Sequence, residues 1–383
     1  MSDLPSSCVF PDGVDAASFL RKYWQQSALL MPQAFPDFDT PLPADELAGL
    51  SLEPGTAPRL ITKDEAGEFR LEYGPFEEDR FSTLGAHDWS LLVTDVEKHL
   101  PELRSILSAF AFLPSWRIDD VMVSYAPDGA SVGAHVDDYD VFLLQASGER
   151  RWLIEDKVRD HVQSTQGDIR LVEDFSPSQD LILSPGDMLY LPPGIAHHGI
   201  AVGDNCTTWS IGFRAPAKDE LILKLSEIIA QRITSTGNVE RYRDPPLSPA
   251  VNGEIDDAAI NQFKCLWSRA TKFSDNEFAH LVGTLLTQDG SINRHEQSAE
   301  QSDESTTNAE TQLERHPFSE LVWHGDGDTV TLYADGETYN CSRSLAIELC
   351  GMQSPTLINR PKPENKNDWN VVQQLLAAGV LLT

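Results

Sequence analysis

The stretch Gly133 to Arg151, GAHVDDYDVFLLQASGERR, constrains what this chain can become more than any other part of it. His135 and Asp137 stand two residues apart, and on a β-strand alternate side chains leave the same face, so both can reach one metal ion. Farther along, LPPGIAHHG (Leu191 to Gly199) offers a further imidazole from His197 or His198. Two imidazoles and one carboxylate on one side of a metal, with the opposite positions open, form the donor set of non-haem Fe(II) oxygenases.

The surroundings agree with a β scaffold. From Trp116 the apolar residues recur with period two through WRIDDVMVSYAPDG, VGAHVDDYDVFLLQASGERRWLIE, DLILSPGDMLYLPPGIAHHGIAV and CTTWSIGFRAP. Four or more strands separated by Gly, Pro, Asp and Ser turns predict a barrel or jelly roll ending near Arg214. Asp137, Asp138 and Asp140 crowd an otherwise apolar segment, which fits metal ligation better than a core histidine beside a surface turn. Five cysteines, odd in number and without a CxxC pair, argue against a zinc ribbon and a disulfide scaffold. Three protein ligands leave three octahedral positions for a bidentate cosubstrate and dioxygen (O2). A cosubstrate with a second carboxylate needs a cation, and Arg150 and Arg151 are both candidates. Alternation lets only one of them face inward.

Upstream, VDAASFLRKYWQQSALLM, ADELAGL and DWSLLVTDVEKHL carry helical spacing, with Asp45 and Asp88 as caps, so helices are expected to precede the strands. Downstream, KDELILKLSEIIAQRI and the stretch from Asp256 through NEFAHLVGTLLTQ predict a small helical domain. Its apolar stripe packs on the barrel or on a second copy of the chain. Residues 288–315 are polar and free of aromatics and read as a flexible linker. Residues 316–383 read as strands and helices of a winged-helix-like module, yet carry eight acidic and four basic side chains, so direct DNA binding is not expected. The whole chain has a net charge of −31, which repels nucleic acid and attracts basic partners. The opening MSDLPSSCVFPDG has neither a basic nor an apolar leader region, and no run of eighteen apolar residues occurs. A cytoplasmic protein without a membrane span is therefore expected.

GAHVDDYDVFLLQ, GERRW, SPGDMLYLPPGIAHHG and WSIGFRAP resemble the JmjC-type 2-oxoglutarate oxygenases of the cupin superfamily. They are similar in particular to the bacterial ribosomal oxygenases that hydroxylate an arginine of large-subunit ribosomal protein L-sixteen. FLRKYWQQSALL, DELAGL, GPFEE, DWSLLV, WRIDDVMVSY and ERYRDP follow that resemblance in order, and the linker does not. It implies an α+β fold: a JmjC double-stranded β-helix (cupin jelly roll) flanked by helices over residues 1–215, a helical dimerisation domain over 216–287 and a winged-helix-like domain over 316–383. It further implies Fe(II) on His135, Asp137 and His197, 2-oxoglutarate on Arg150, and a substrate guanidinium on Asp120, Tyr139 and Ser210. The implied enzyme is a homodimer that converts arginine in a basic ribosomal protein of the large subunit to 3-hydroxyarginine, with succinate and CO2 as coproducts. Glu149 stands where the family often has a further arginine. The alternatives are the same chemistry on a histidyl or lysyl residue of another basic protein, and a non-catalytic cupin-like regulatory protein.

Overall fold

Asp15 starts the first helix by accepting the amide of Ser18 at 2.7 Å, while the Ser18 hydroxyl accepts the amide of Asp15 at 2.8 Å. This reciprocal cap satisfies two of the free N–H groups at the helix end and turns Phe19 fully into the core. The structure, a computed structural model, describes all residues except 1–3, 6, 159–162, 167–168, 236, 238–239, 247–252, 298–309, 352–355, 360–365 and 383. One compact unit is built on Met1–Ala215, the other on Pro216–Cys350 and Leu357–Thr383. Among the described residues no helix is long and apolar enough to cross a membrane.

The first unit runs α1 (Ala16–Lys22), β1 (Leu29–Met31), α2 (Ala44–Leu50), β2 (Ala57–Lys63), β3 (Phe69–Tyr73), α3 (Glu78–Ser82), β4 (Trp89–Thr94) and α4 (Val96–His99). Two 3-10 segments follow, then β5 (Ile118–Ala126), β6 (Asp140–Ile154), β7 (Gln163–Gln166), β8 (Ile169–Val172), β9 (Gln179–Leu183), β10 (Met188–Leu191) and β11 (His197–Phe213). The long strands β6 and β11 pair along most of their length. The first half of β6 is flanked by β10 and β1 on one side, and on the other by β11, β5, β4, β2 and β3 in turn. Its second half pairs with β9 and with the start of β11, which continues to Ser131 and His135 through isolated bridges. The expected mixed α+β scaffold is present, with an aromatic core of Phe19, Phe110, Phe142, Tyr190, Trp209 and Phe213.

Three local expectations need correction. Asp88–Leu100 is not a helix: residues 89–94 form β4, and only Val96–His99 is helical. Ser90, Leu91, Leu92 and Val93 are all buried in a strand between β2 and β5, and such a run has no alternation to separate it from a helix. Asp88 and Asp45 are not caps; Asp88 is a turn residue with φ +64°, and Pro43 precedes α2. The upstream region is also not led by helices alone, because β2 and β3 extend the sheet there.

The second unit holds α5 (Lys218–Ser235), α6 (Asp257–Ala270) and α7 (Asp275–Gln297). Its strands are β12 (Glu310–Arg315), β13 (Leu321–His324), β14 (Thr329–Ala334), β15 (Glu337–Ser342), β16 (Thr356–Asn359) and β17 (Leu381–Leu382), with α8 (Arg343–Gly351) and α9 (Lys366–Ala377). They form the sheets β16-β12-β17 and β13-β14-β15. The reading of 288–315 as a linker is thus corrected at both ends, since α7 runs to Gln297 and β12 begins at Glu310. Once a helix is nucleated, each added residue gains a hydrogen bond, so polar sequence can extend it. Leu313, the lone aliphatic of its segment, anchors β12 in the core.

Candidate metal centre

His135 and His197 face each other as a bridge pair: each accepts the other's amide at 3.0 Å. His135 belongs to this bridge just ahead of β6, not to a regular strand, which corrects the expectation that His135 and Asp137 share one. The two imidazoles lie 4.3 Å apart between ring centres. Asp137 reaches both, with carboxylate oxygens 3.9 Å from His135 Nε2 and 3.5 Å from His197 Nε2. One ligand atom from each of the three lies within 4.8 Å of the others.

The second ring nitrogens settle the tautomers. His135 Nδ1 is 3.0 Å from the carbonyl of Gly133, and His197 Nδ1 is 3.0 Å from that of Ile195. A carbonyl can only accept, so each Nδ1 carries the proton and each Nε2 keeps a lone pair for a cation. Gly133 has φ +86°, a turn that an L side chain resists, and this turn presents its carbonyl to His135. Burial, reinforced by the neighbouring His135, lowers the pKa of His197 to about 4, so the ring is neutral near pH 7. His198 points elsewhere, with its ring 6.2 Å from Phe175. The donor set fits a divalent first-row metal such as Fe(II), and the open side faces a cavity of about 230 Å³.

That cavity is lined by His135, Asp137, His197, Tyr139, Arg150 and Ser210, among others. Arg150 is 4% exposed, and its Nε and Nη2 have no hydrogen-bond partner among the described residues. Its guanidinium lies 5.8 Å from the ring of Trp152, which in turn packs 5.7 Å from His197. Arg151 faces outward and forks onto Asp180 at 2.7 and 2.6 Å. Orphaned buried donors beside a metal site suit an anionic ligand such as the far carboxylate of 2-oxoglutarate. Asp120 is not among the lining residues; it lies farther along β5, against Gly212. Burial and the charge of Asp137 hold the Tyr139 phenol well above its usual range, so it stays protonated.

Sequence reasoning missed Arg59, which lines the same cavity from β2 and whose guanidinium donates to the Met122 sulfur at 3.1 Å. The segment APRLITK offered no ligand spacing to mark it. It also missed Gly199, where a Cβ would come within 2.7 Å of the Trp152 ring. A glycine in the histidine-bearing strand was the available signal.

Comparison with known proteins agrees with this geometry. Residues 105–221 match the JmjC domain family. The chain is similar to the ribosomal protein uL16 3-hydroxylase of Escherichia coli, 38% identical over 231 residues, which is 60% of each chain. It is 35% identical over 219 residues to a probable ribosomal oxygenase of Haemophilus influenzae, covering 57% of this chain and 54% of that one. These alignments therefore span little more than half of the relatives' own length. Among solved structures, YcfD, a ribosomal oxygenase from Escherichia coli in complex with cobalt and 2-oxoglutarate, superposes with a TM-score of 0.75 at 28% identity, covering 97% of this chain and 98% of that one. The stretch 105–221 is a JmjC domain by this match, and the His135–Asp137–His197 cluster lies within it.

Proposed function

We propose that this chain is an Fe(II)- and 2-oxoglutarate-dependent dioxygenase that hydroxylates an arginine residue of a basic large-subunit ribosomal protein, giving 3-hydroxyarginine. One observation carries the reading: an unpartnered buried guanidinium, Arg150, lines the same cavity as three convergent ligand atoms. The names of the relatives support the choice of substrate, uL16 in one case and a ribosomal oxygenase in the other.

In this reading His135, Asp137 and His197 hold Fe(II) through two Nε2 atoms and a carboxylate. The bound metal, with 2-oxoglutarate and O2, supplies the oxidising chemistry that inserts oxygen into a C–H bond, and releases succinate and CO2. Arg150 forks onto the distal carboxylate of 2-oxoglutarate and thereby fixes its orientation, while Trp152 walls the pocket beneath it. Leu92, Val132, Val141 and Leu143 keep the cavity walls apolar and limit water. The substrate guanidinium is held by Asp120, which lies outside the cavity lining but near enough to Tyr139 for its charge to act on that phenol, with Tyr139 and Ser210 offering hydroxyl oxygens as acceptors.

The net charge of −31 favours approach of a basic partner. We place the protein in the cytoplasm, where ribosomal proteins are made. Exposed Ile222, Leu223, Phe263 and Trp267 support residues 216–287 as the surface on which a second copy packs in a homodimer. Residues 316–383 are read as a winged-helix-like interaction module without direct DNA contacts.

Incubation with Fe(II), 2-oxoglutarate and an arginine-containing ribosomal peptide should add one oxygen to the arginine, read by fragmentation mass spectrometry. Oxygen gained instead on a histidyl or lysyl peptide would replace the substrate assignment. Turnover of 2-oxoglutarate that survives Asp137→Ala would overturn the metal centre itself.

A further inference from the structure

Glu97 has no part in the chemistry above, yet it is a carboxyl only 3% exposed, on the short helix α4. Its Oε2 accepts the amide of Val121 at 2.9 Å, and Val121 directly follows Asp120 in β5. On the opposite side β5 pairs with β11, where Ile211 faces Val121 and Phe213 faces Ile118. Between these pairs Asp119 and Asp120 lie opposite the single residue Gly212, which is a bulge. A Cβ at Gly212 would come within 2.7 Å of Asp120 Oδ1, so Asp120 crosses β11 at a residue with no side chain to block it. A bulge adds a residue to one strand and re-aims its side chains, and here the backbone just after it is tied to a buried acid.

We propose that Glu97 is a positioning residue for the substrate guanidinium: through the Val121 amide it fixes the bulge that aims Asp120, and it places a second carboxyl against that site. The proposal rests on the reading of Asp120 as a guanidinium ligand. Burial chiefly, then the negative charges of Asp119, Glu97 and Asp95, push the Asp120 carboxyl up to about 8, while Lys98 opposes them. Burial likewise pushes Glu97 up to about 7, with Lys98 opposing and Asp95 adding to the rise. The groups facing Asp120 are thus Asp119 on its own strand and Asp95, Glu97 and Lys98 around α4, with Tyr139 ahead of β6. Lys98 is paired with Asp95 at 2.6 Å. From β11 it is Gly212 that lies against Asp120, and a glycine does not titrate.

A guanidinium binds the carboxylate, not the acid. Below its pKa Asp120 must therefore lose a proton when substrate arrives, and kcat/KM for the peptide should fall as pH drops, by up to about tenfold per unit. Glu97→Gln keeps an oxygen for the Val121 amide but removes the neighbouring charge. Its acid limb should move toward lower pH by about half a unit, with KM for the peptide at pH 7 falling about threefold. Glu97→Ala removes the acceptor, leaves the Val121 N–H unpaired and should raise KM about tenfold, with kcat less affected. KM for 2-oxoglutarate should stay put in both. A residue that merely fills space would raise KM in both variants and leave the pH limb in place.

The decisive measurement is the pH profile of peptide kcat/KM for the Fe(II)-loaded wild type and the two variants. An unmoved limb in Glu97→Gln, or a wild-type KM in Glu97→Ala, overturns the proposal; should Glu97→Ala not fold, Glu97→Gln decides alone. Absence of arginine hydroxylation by the wild type would instead overturn the substrate reading. The Asp120 carboxyl would then be titrated in peptide-free protein by 13C NMR, assigned with Asp120→Asn. A lower titration midpoint in Glu97→Gln supports the coupling, and an unchanged one refutes it.

Discussion

Arg150→Met should make the protein more stable and less able to bind 2-oxoglutarate at once. Arg150 is 4% exposed, with two guanidinium nitrogens lacking acceptors among the described residues. A buried cation without a partner costs several kcal/mol, and a well-packed apolar replacement of similar length is expected to return about 1–3 kcal/mol. Methionine keeps the contact over the Trp152 ring and drops the charge. In the ligand-free protein the gain should appear as a rise in Tm of about 2–4 °C per kcal/mol. Loss of two charge-assisted hydrogen bonds, about 1.5–3 kcal/mol each, should raise KM for 2-oxoglutarate by about two to four orders of magnitude. Calorimetric scans of Mn(II)-loaded protein combine both readouts: 2-oxoglutarate at a hundredfold excess over the wild-type Kd stabilises wild type by about 2.7 kcal/mol, and the variant by less than about 0.5 kcal/mol. Arg151→Ala is the control. Its pair with Asp180 leaves both side chains about half exposed and is worth less than about 1 kcal/mol, so KM should not move. A destabilised Arg150→Met would mean that Arg150 has a structural partner, and an unchanged KM would mean that another residue holds the cosubstrate.

Other perturbations test the scaffold. Asp140 is fully buried and accepts from Tyr190 at 2.6 Å and from Arg117 and Gln25 at 3.0 Å each. Asp140→Ala strands the Arg117 charge and should cost about 3–5 kcal/mol in urea unfolding followed by tryptophan fluorescence. Gly199→Ala should push the Trp152 ring aside, cost about 1–3 kcal/mol and raise KM for 2-oxoglutarate, because Trp152 touches both Arg150 and His197. The depressed pKa of His197 makes the unfolded chain take up a proton that the folded chain refuses between pH 6.5 and about 4. Stability relative to His197→Gln should therefore fall as pH drops through that window, measured by urea midpoints on ligand-free protein.

What could be read from sequence follows the physical contrast each segment carries. Strands from Trp116 onward show alternation because one face meets the aromatic core and the other the cavity. Strand β4 does not, since its central residues are covered on both faces, and it passed for a helix. That error hid Glu97 as well, because an acid in a supposed amphipathic helix looks solvated. The two-residue spacing of His135 and Asp137 converges without a strand, through a bridge to His197 whose partner lies far along the chain. Arg59 reaches the cavity only because β2 joins the sheet through β4, a pairing no local pattern announces.

The choice between Arg150 and Arg151 shows most sharply what periodicity alone lacks. In the first half of β6 the cavity-facing residues are Val141 and Leu143, and strict alternation from them would bring Arg151 inward. The cavity-facing residues of the second half are instead Arg150 and Trp152. Between the halves the register with β11 slips, so that Ser147 pairs with Thr207 but Gln145 with Thr208, leaving Ala146 without a counterpart. One extra residue inverts the pleat of everything beyond it. Gly148, at φ +60°, takes the turn there, where a Cβ would stand 2.7 Å from the carbonyl oxygen of Asn205. Strand β11 changes phase at the same level, presenting His197 before the irregularity and Thr208 and Ser210 after it. The irregularity therefore does chemical work. By flipping two strands together it turns a guanidinium, an indole and an imidazole toward one cavity and sends Arg151 out to Asp180.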